Sequence, residues 1–195
     1  YNTFEKLMKA ISKSLKKNDP NHLNLGIRYG YIEQLDDELL RISKESFDAL
    51  SFNCYALSPD HEKMNHALEI SGLPMIIGEY HFGTVDRGLA QSLWQVNSQK
   101  ERGDAFRYYT ENAFAHRGLI GTGWFRWIDQ NINGRTDGEN YNCGFIDVTD
   151  RPYPYMVDAA IKTAKSLYEI HSGTKTPFHQ APNAVGHSPI PDLWE

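Results

Sequence analysis

The sequence predicts an α/β fold, half of a parallel (β/α)8 barrel followed by an extended C-terminal tail. Three observations lead there. Helical and strand-like stretches alternate along the 195 residues as α-βα-βα-βα-βα-tail, and the strands are short, nearly continuous apolar runs. That pattern belongs to a parallel sheet covered by helices. No Gly-rich G-x-G-x-x-G turn follows any strand, which argues against the alternative of a doubly wound dinucleotide-binding sheet. Polar and aromatic residues gather instead where the strands end, at Arg28-Tyr29, Asn53-Cys54-Tyr55, Glu79-Tyr80-His81 and Trp124 to Gln130. A barrel builds its active site on that face. A whole barrel takes eight strands and about 250 residues, and four strands are legible here.

Each element has its own signal. Residues 4–17 place Phe4, Leu7, Met8, Ile11 and Leu15 at helical spacing, and Asn18-Asp19-Pro20 ends the helix. A short strand over 22–30 reaches Arg28 and Tyr29; a helix over 36–46 and a strand over 47–57 follow. Residues 60–71 form the next helix, and Pro74 leads into the strand Met75-Ile76-Ile77 that delivers Glu79. After a loop, 98–118 is a long helix with Phe106, Tyr109 and Ala113 on one face. The strand 119–130 runs into a long polar loop, and the last helix spans 154–171. Residues 1–171 thus form the half-barrel. Residues 172–195, with Pro177, Pro182, Pro189 and Pro191, form a tail too proline-rich for anything but an extended wrap.

Composition narrows the function. A net charge of −5 and a pI near 5.9 leave no basic stripe for nucleic acid. The cluster Lys13 to Lys17 reads as the solvated face of a helix. No apolar run approaches the roughly 18 residues that span a membrane. Cys54 and Cys143 are too few for a disulfide framework, and a single bridge between them is undecided by sequence. The chain opens at Tyr1 inside a helix, with no initiator Met and no leader, the start expected of a processed chain or a fragment. Aromatic residues make up 12% of the chain, enough to line a sugar cleft or to fill an ordinary core.

At a barrel mouth, a carboxylate among aromatics suits glycoside chemistry. That reaction uses two carboxyl groups, which in the retaining form stand about 5–5.5 Å apart, one as nucleophile and one as acid and then base. Glu79 fits the nucleophile. Arg28 and Tyr55, from neighbouring strands, would hold it ionised and aimed, and Trp124 or Trp127 would offer the flat face on which a pyranose sits. The bland alternative is a structural Glu79–Arg28 ion pair.

The runs "IIGEYHFGTVDRG" (76–88) and "GTGWFRWIDQNINGRTDGENYNCGFIDVTDRPYP" (121–154) resemble the C-terminal half of the catalytic barrel in β-agarase-type glycoside hydrolases. These belong to the retaining clan that also holds the β-galactosidases. On this resemblance, which covers residues 1 to 170, the four strands are strands five to eight of the barrel. It implies that Glu79 is the nucleophile and that Tyr55 hydrogen-bonds it. The segment from Trp124 to Gln130, Asp129 included, would floor the sugar subsite. Arg28, Asn53, His81 and Asn140 would touch sugar further along the cleft, with Asp86, Arg87, Tyr141 and Asn142 beside them. The clan's general acid/base is a glutamate following an asparagine at the end of the fourth strand, upstream of Tyr1; neither Glu5 nor Glu33 is placed to replace it. The resemblance therefore implies a hydrolase of β-galactosidic links in an agarose-like galactan, extracellular or periplasmic because its polymer is. No cofactor is implied. The alternative is a non-catalytic half-barrel, a carbohydrate-binding remnant or an assembly unit that pairs with the missing N-terminal half or with a second copy.

Other signals carry less. His61-Glu62-x-x-x-His66 differs from H-E-x-x-H by one residue, which turns the second histidine about 140° round a helix from the first. Asn131, Asn133 and Asp137 lack the spacing and closing glutamate of a calcium loop. The histidines of the last helix and tail, His171, His179 and His187, read as solvated. No G-x-S-x-G, phosphate-binding loop or Cys-rich zinc pattern occurs.

Overall fold

A computed structural model describes residues 1–186. His187, Pro189 and Pro191 of the tail lie outside the described residues. The fold is α/β, in two compact units, and the chain passes from the first to the second inside two of its strands.

The first unit holds helix α1 (Asn2–Asn18), strand β1 (Arg28–Tyr29), helix α2 (Asp37–Ser46), strand β2 (Leu50–Phe52), helix α3 (His61–Ser71), strand β3 (Met75–Tyr80) as far as Gly78, and residues 118–123. Helix starts are fixed by side-chain acceptors. Asp36 accepts from the Leu39 N–H at 2.9 Å, and Asp60 from the Glu62 N–H at 2.9 Å. Gly72 ends α3 in the left-handed conformation, with φ of 66°. β1 pairs parallel with β2, and β2 parallel with β3, in the register Leu50 to Met75 and Phe52 to Ile77. The next strand, β5 (Leu119–Trp124), lies beside β3 and completes the sheet order β1-β2-β3-β5. The two inner strands bury Leu50, Phe52, Met75 and Ile77 completely on one face of the sheet, while Ser51 and Ile76, which alternate with them, are half-buried.

Three expectations change here, one of them the strand predicted over 47–57, which shortens to Leu50–Phe52. The strand predicted over 22–30 forms ladder bonds only at Arg28 and Tyr29. Turn chemistry displaces the rest: Gly26 takes a positive φ of 72° and donates its N–H to Asn24 Oδ1, while the Asn24 N–H goes to Asp48. The apolar stripe of α1 is only half covered. Met8 packs with Ile42 and Phe47, and Phe4 joins them, but Leu7, Ile11 and Leu15 are 53%, 43% and 46% exposed. Within this unit α1 packs chiefly against α2, with Ile27 and Leu73 also against the Met8 cluster.

The second unit begins in the loop 55–59, resumes at Glu79 and continues from Trp124. Between β3 and helix α4 (Gln99–Phe114) the predicted loop contains a short strand, β4 (Trp94–Gln95). It pairs antiparallel with β6 (Val185–Gly186) in the tail. The tail is therefore a strap with a strand in it, a pairing that two residues of local sequence do not announce. Helix α5 (Pro154–His171), begun by Pro154 at its first position, packs against α4. Ser98 caps α4 by accepting the Glu101 N–H, and the Glu101 carboxylate accepts the N–H of Asn97, the residue before the cap, at 2.8 Å. Tyr80 and Tyr109 stack at 4.1 Å in the core, and Trp124 meets Tyr80 edge-on at 5.2 Å.

The tail is anchored at Phe178. Buried Glu111 accepts the Phe178 N–H at 2.8 Å, together with Arg107 Nε at 2.9 Å and Thr163 Oγ1 at 3.0 Å. The Arg107 guanidinium lies over the Phe178 ring, 4.4 Å from its centroid.

Candidate active site

Glu79 is the first residue of the second unit, at the end of β3, and the glycine before it sets the geometry. A Cβ on Gly78 would stand 2.2 Å from Arg28 Cδ and 3.2 Å from Asn53 Oδ1. A Cβ on Gly123 would stand 2.6 Å from the Gly78 carbonyl oxygen. Only glycine lets β3 and β5 lie so close and leaves room for Arg28. Arg28 and Asn53 belong to the first unit; Arg28 is exposed, and Asn53 closes β2 with its N–H on the Tyr29 carbonyl at 3.1 Å.

The remaining site candidates fall in the second unit. Tyr55 Oη donates to Glu79 Oε2 at 2.7 Å, a charge-assisted bond that fixes one oxygen of the carboxylate. Burial first, and then the Glu79 carboxylate, push the Tyr55 phenol well above its ordinary range, so it stays a donor. His81 stands behind Tyr55, with ring centroids 4.8 Å apart and edge to face. The imidazole is 2% exposed and its two nitrogens are both engaged. The Leu93 N–H donates to Nε2 at 3.1 Å, so Nδ1 carries the proton and donates to the Phe125 carbonyl at 3.0 Å. Burial lowers its pKa to about 3, leaving a neutral ring with a fixed tautomer.

The two tryptophans differ. Trp124 is half-buried among Tyr80, Phe82, Phe106 and Phe145, with its Nε1–H on the Cys143 carbonyl at 2.7 Å. Trp127 is 69% exposed and stacks on Phe145 at 6.0 Å with a 20° tilt, presenting a flat face outward. That is the platform geometry a pyranose uses.

Asp129 and Gln130 are buried and engaged inside the protein. Asp129 accepts from the Tyr153 hydroxyl at 2.6 Å, the Gly144 N–H at 2.6 Å and Asn142 Nδ2 at 2.9 Å. Over this knot lies Arg102, fully buried, donating to the carbonyls of Asn142 at 3.1 Å and Gly144 at 2.9 Å, its guanidinium 4.3 Å from the Tyr153 ring centre. The knot holds the segment 142–144, whose middle carbonyl pins Trp124. Gln130 accepts the Tyr141 N–H at 2.7 Å and donates to Glu139 Oε2 at 2.7 Å. Asn140 is half-buried, its carbonyl accepting from the Ala90 N–H at 3.1 Å.

Sequence reasoning passed over Arg102 and Glu139. A cationic residue in mid-helix looks solvated unless the tertiary partners are known, and Glu139 falls between the residues weighed as cation ligands (Asn131 to Asp137) and those placed along the cleft (Asn140 to Asn142). In that loop Asp137 pairs with Arg135, and among the described residues no group of three or more His, Cys, Asp or Glu is arranged to hold a metal. Neither cysteine is in a disulfide and both are buried, and burial pushes the Cys143 thiol up to about 12. His66, set aside as a ligand, meets Asp37 at 2.8 Å.

No protein-family model matches the chain. In sequence it is similar to Beta-agarase A of Vibrio sp. (strain JT0107), 37% identical over 166 residues, which are 82% of this chain and 16% of that protein. In fold it is similar to an agarase, AgWH50C, with a TM-score of 0.80 at 36% identity over 86% of this chain and 26% of that one. It is likewise similar to an exo-beta-agarase, with a TM-score of 0.80 at 33% identity over 88% of this chain and 23% of that one. The chain thus spans about a sixth of the curated relative and about a quarter of each solved chain.

Proposed function

We propose that this chain, which belongs to the agarase-type glycoside hydrolases, supplies the nucleophile half of a retaining active site that cleaves β-galactosidic links in an agarose-like galactan. The observation that carries the reading is the Glu79–Tyr55 pair, a strand-end carboxylate with one oxygen fixed at 2.7 Å. In the reaction, Glu79 attacks the anomeric carbon as the glycosidic oxygen leaves with a proton from the acid. Water then releases the covalent sugar, giving its proton to the same residue, now the base. That acid/base comes from outside these residues, and the four-stranded sheet is read as strands five to eight of the barrel.

Trp127 is the sugar platform on this reading, and Trp124 sets the floor behind it. Asp129, Gln130 and His81 act by holding the segments around them, while Asn140 lies at the edge of the cleft. The uncovered stripe of α1 supports a partner: the preceding barrel half, or a second copy, would cover Leu7, Ile11 and Leu15. No helix among the described residues is long and apolar enough to cross a membrane. A polymeric substrate places the reaction outside the cell or in the periplasm.

The test is hydrolysis of agarose oligosaccharides by this chain joined to an upstream half that carries the acid. Glu79→Gln is expected to lower kcat by on the order of 10³-fold or more. Activity within a few-fold of the parent would remove Glu79 from the mechanism.

A further inference from the structure

Glu139 has the makings of a second functional carboxylate beside the Glu79–Tyr55 pair. Its side chain is 24% exposed, so it reaches solvent while being held from within. Both of its partners grip the same oxygen. The fully buried Gln130 donates Nε2 to Oε2 at 2.7 Å, and Arg135 Nη1 stands 3.3 Å from that atom. Among the described residues, Oε1 has no hydrogen-bond partner. A carboxylate oxygen held in place with its acceptor capacity unspent is a preformed receptor for a hydroxyl.

Its location follows from a chain of contacts. Gln130 also accepts the Tyr141 N–H, Tyr141 meets the His81 ring edge-on at 5.8 Å, and His81 meets Tyr55 at 4.8 Å. Arg135 lies 5.8 Å from the Phe125 ring centre, and Phe125 lies 5.9 Å from His81. Electrostatics place it in the same neighbourhood. The Tyr55 and Tyr141 phenols, raised first by burial, are raised further by the Glu139 charge, and Arg135, raised first by its bond to Asp137, is raised further by the Glu79 charge. The loop is braced to hold this position: the Arg135 N–H donates to the Glu139 carbonyl at 2.8 Å, and the Gly138 N–H to the Arg135 carbonyl at 2.9 Å.

We infer that Glu139 recognises the sugar ring bound at Glu79, its Oε1 accepting a ring hydroxyl while Gln130 and Arg135 hold Oε2. Glu139 is thereby a specificity-determining residue rather than a proton donor. Arg135 partly neutralises it, and a neutral galactoside offers hydroxyls in the arrangement a fixed acceptor can sort. The inference rests on the proposed role of Glu79.

The test uses the completed enzyme with an aryl β-galactoside and its set of monodeoxy analogues. Glu139→Ala is expected to lower kcat/KM on the parent galactoside by about 10- to 100-fold, as loss of a charge-assisted hydrogen bond does. The loss is expected to vanish on the one analogue that lacks the recognised hydroxyl. Glu139→Gln, which keeps an acceptor and the shape, is expected to recover part of it. An equal loss on every analogue would make Glu139 a loop brace and overturn the inference, as would kcat/KM within two-fold of the parent in a variant with unchanged Tm. An active Glu79→Gln variant would overturn the reading beneath it. An inactive one alongside an unaffected Glu139→Ala would overturn this inference alone.

Discussion

Side chains at the candidate site divide into those that point outward and those that hold something else in place. Tyr55 joins the two groups, because its hydroxyl reaches Glu79 from a ring packed on His81. Tyr55→Phe keeps the ring and removes the donor. In the completed enzyme it is expected to lower kcat by about 10- to 100-fold with KM little changed, the value of a hydrogen bond to a charged group. Steady-state kinetics check it, and a change confined to KM would assign Tyr55 to substrate binding instead. His81 gives a prediction in stability. Its folded pKa is about 3 against an ordinary value of about 6.5, so the unfolded chain takes up the proton first on acidification. The stability held in this neutral imidazole is full above about pH 6.5 and is lost as pH falls toward 3, by about 1.4 kcal/mol per unit at the steepest. Denaturant titrations at pH 7 and 4.5 are expected to show the parent losing about 2.5 kcal/mol more than His81→Asn over that interval. Equal losses would mean that the histidine titrates alike in both states. Little of this was open to sequence reasoning. Strand order offered Tyr55 and Arg28 together as partners of Glu79 and left a plain ion pair open, family resemblance singled out Tyr55, and the choice between Trp124 and Trp127 waited on which ring the Cys143 carbonyl captures.

Among the elements, helices were the most legible and the short strands the least. Residues 36–46, 60–71 and 154–171 read as helices because caps and breakers bracket them, and their observed bounds differ by no more than one residue at either end. β4 and β6 are two residues each and exist only because they find one another across the sequence, which no local pattern encodes. Close approach of β3 and β5 depends on Gly123, whose Cβ would strike the Gly78 carbonyl. Backbone cannot swing aside as a side chain can, so Gly123→Ala is expected to cost about 1–3 kcal/mol, read from the denaturation midpoint. A neutral result would show that the strands can part without loss. The strap depends on Glu111 in the same way. Removing its carboxylate strands Arg107, Thr163 and the Phe178 N–H together. Glu111→Ala is expected to cost about 3–5 kcal/mol and to open the tail to proteolysis near Phe178, detectable by limited digestion.

For the whole molecule, the alternation of strands and helices was legible from composition and periodicity, and its partition into two units was not. Two of the crossings, after Gly78 and after Gly123, fall inside strands, where apolar patterning runs on without a break. α1 shows the same limit from the other side. Periodicity identified a stripe to be buried, but what buries it was never encoded in the helix itself. Ile11, in the uncovered part of that stripe, gives a test that separates folding from assembly. Ile11→Glu is expected to change the stability of this chain by no more than about 0.5 kcal/mol, as exposed substitutions do. It is expected to block association with the upstream half, followed by sedimentation of the mixture. Unimpaired association would place the partner's contact elsewhere.

The locked imidazole of His81 also makes the protein easier to study. When an enzyme changes rate between pH 5 and 8, a histidine is the usual suspect. Here the imidazole that packs edge to face on Tyr55 is silent over that span, with its proton on Nδ1 throughout. A nitrogen-15 label in that ring should give one unmoving pair of resonances, an internal standard against which the shifts of every other group can be read. Should those resonances broaden when an oligosaccharide is added, the disturbance would report motion of the pocket wall rather than transfer of a proton.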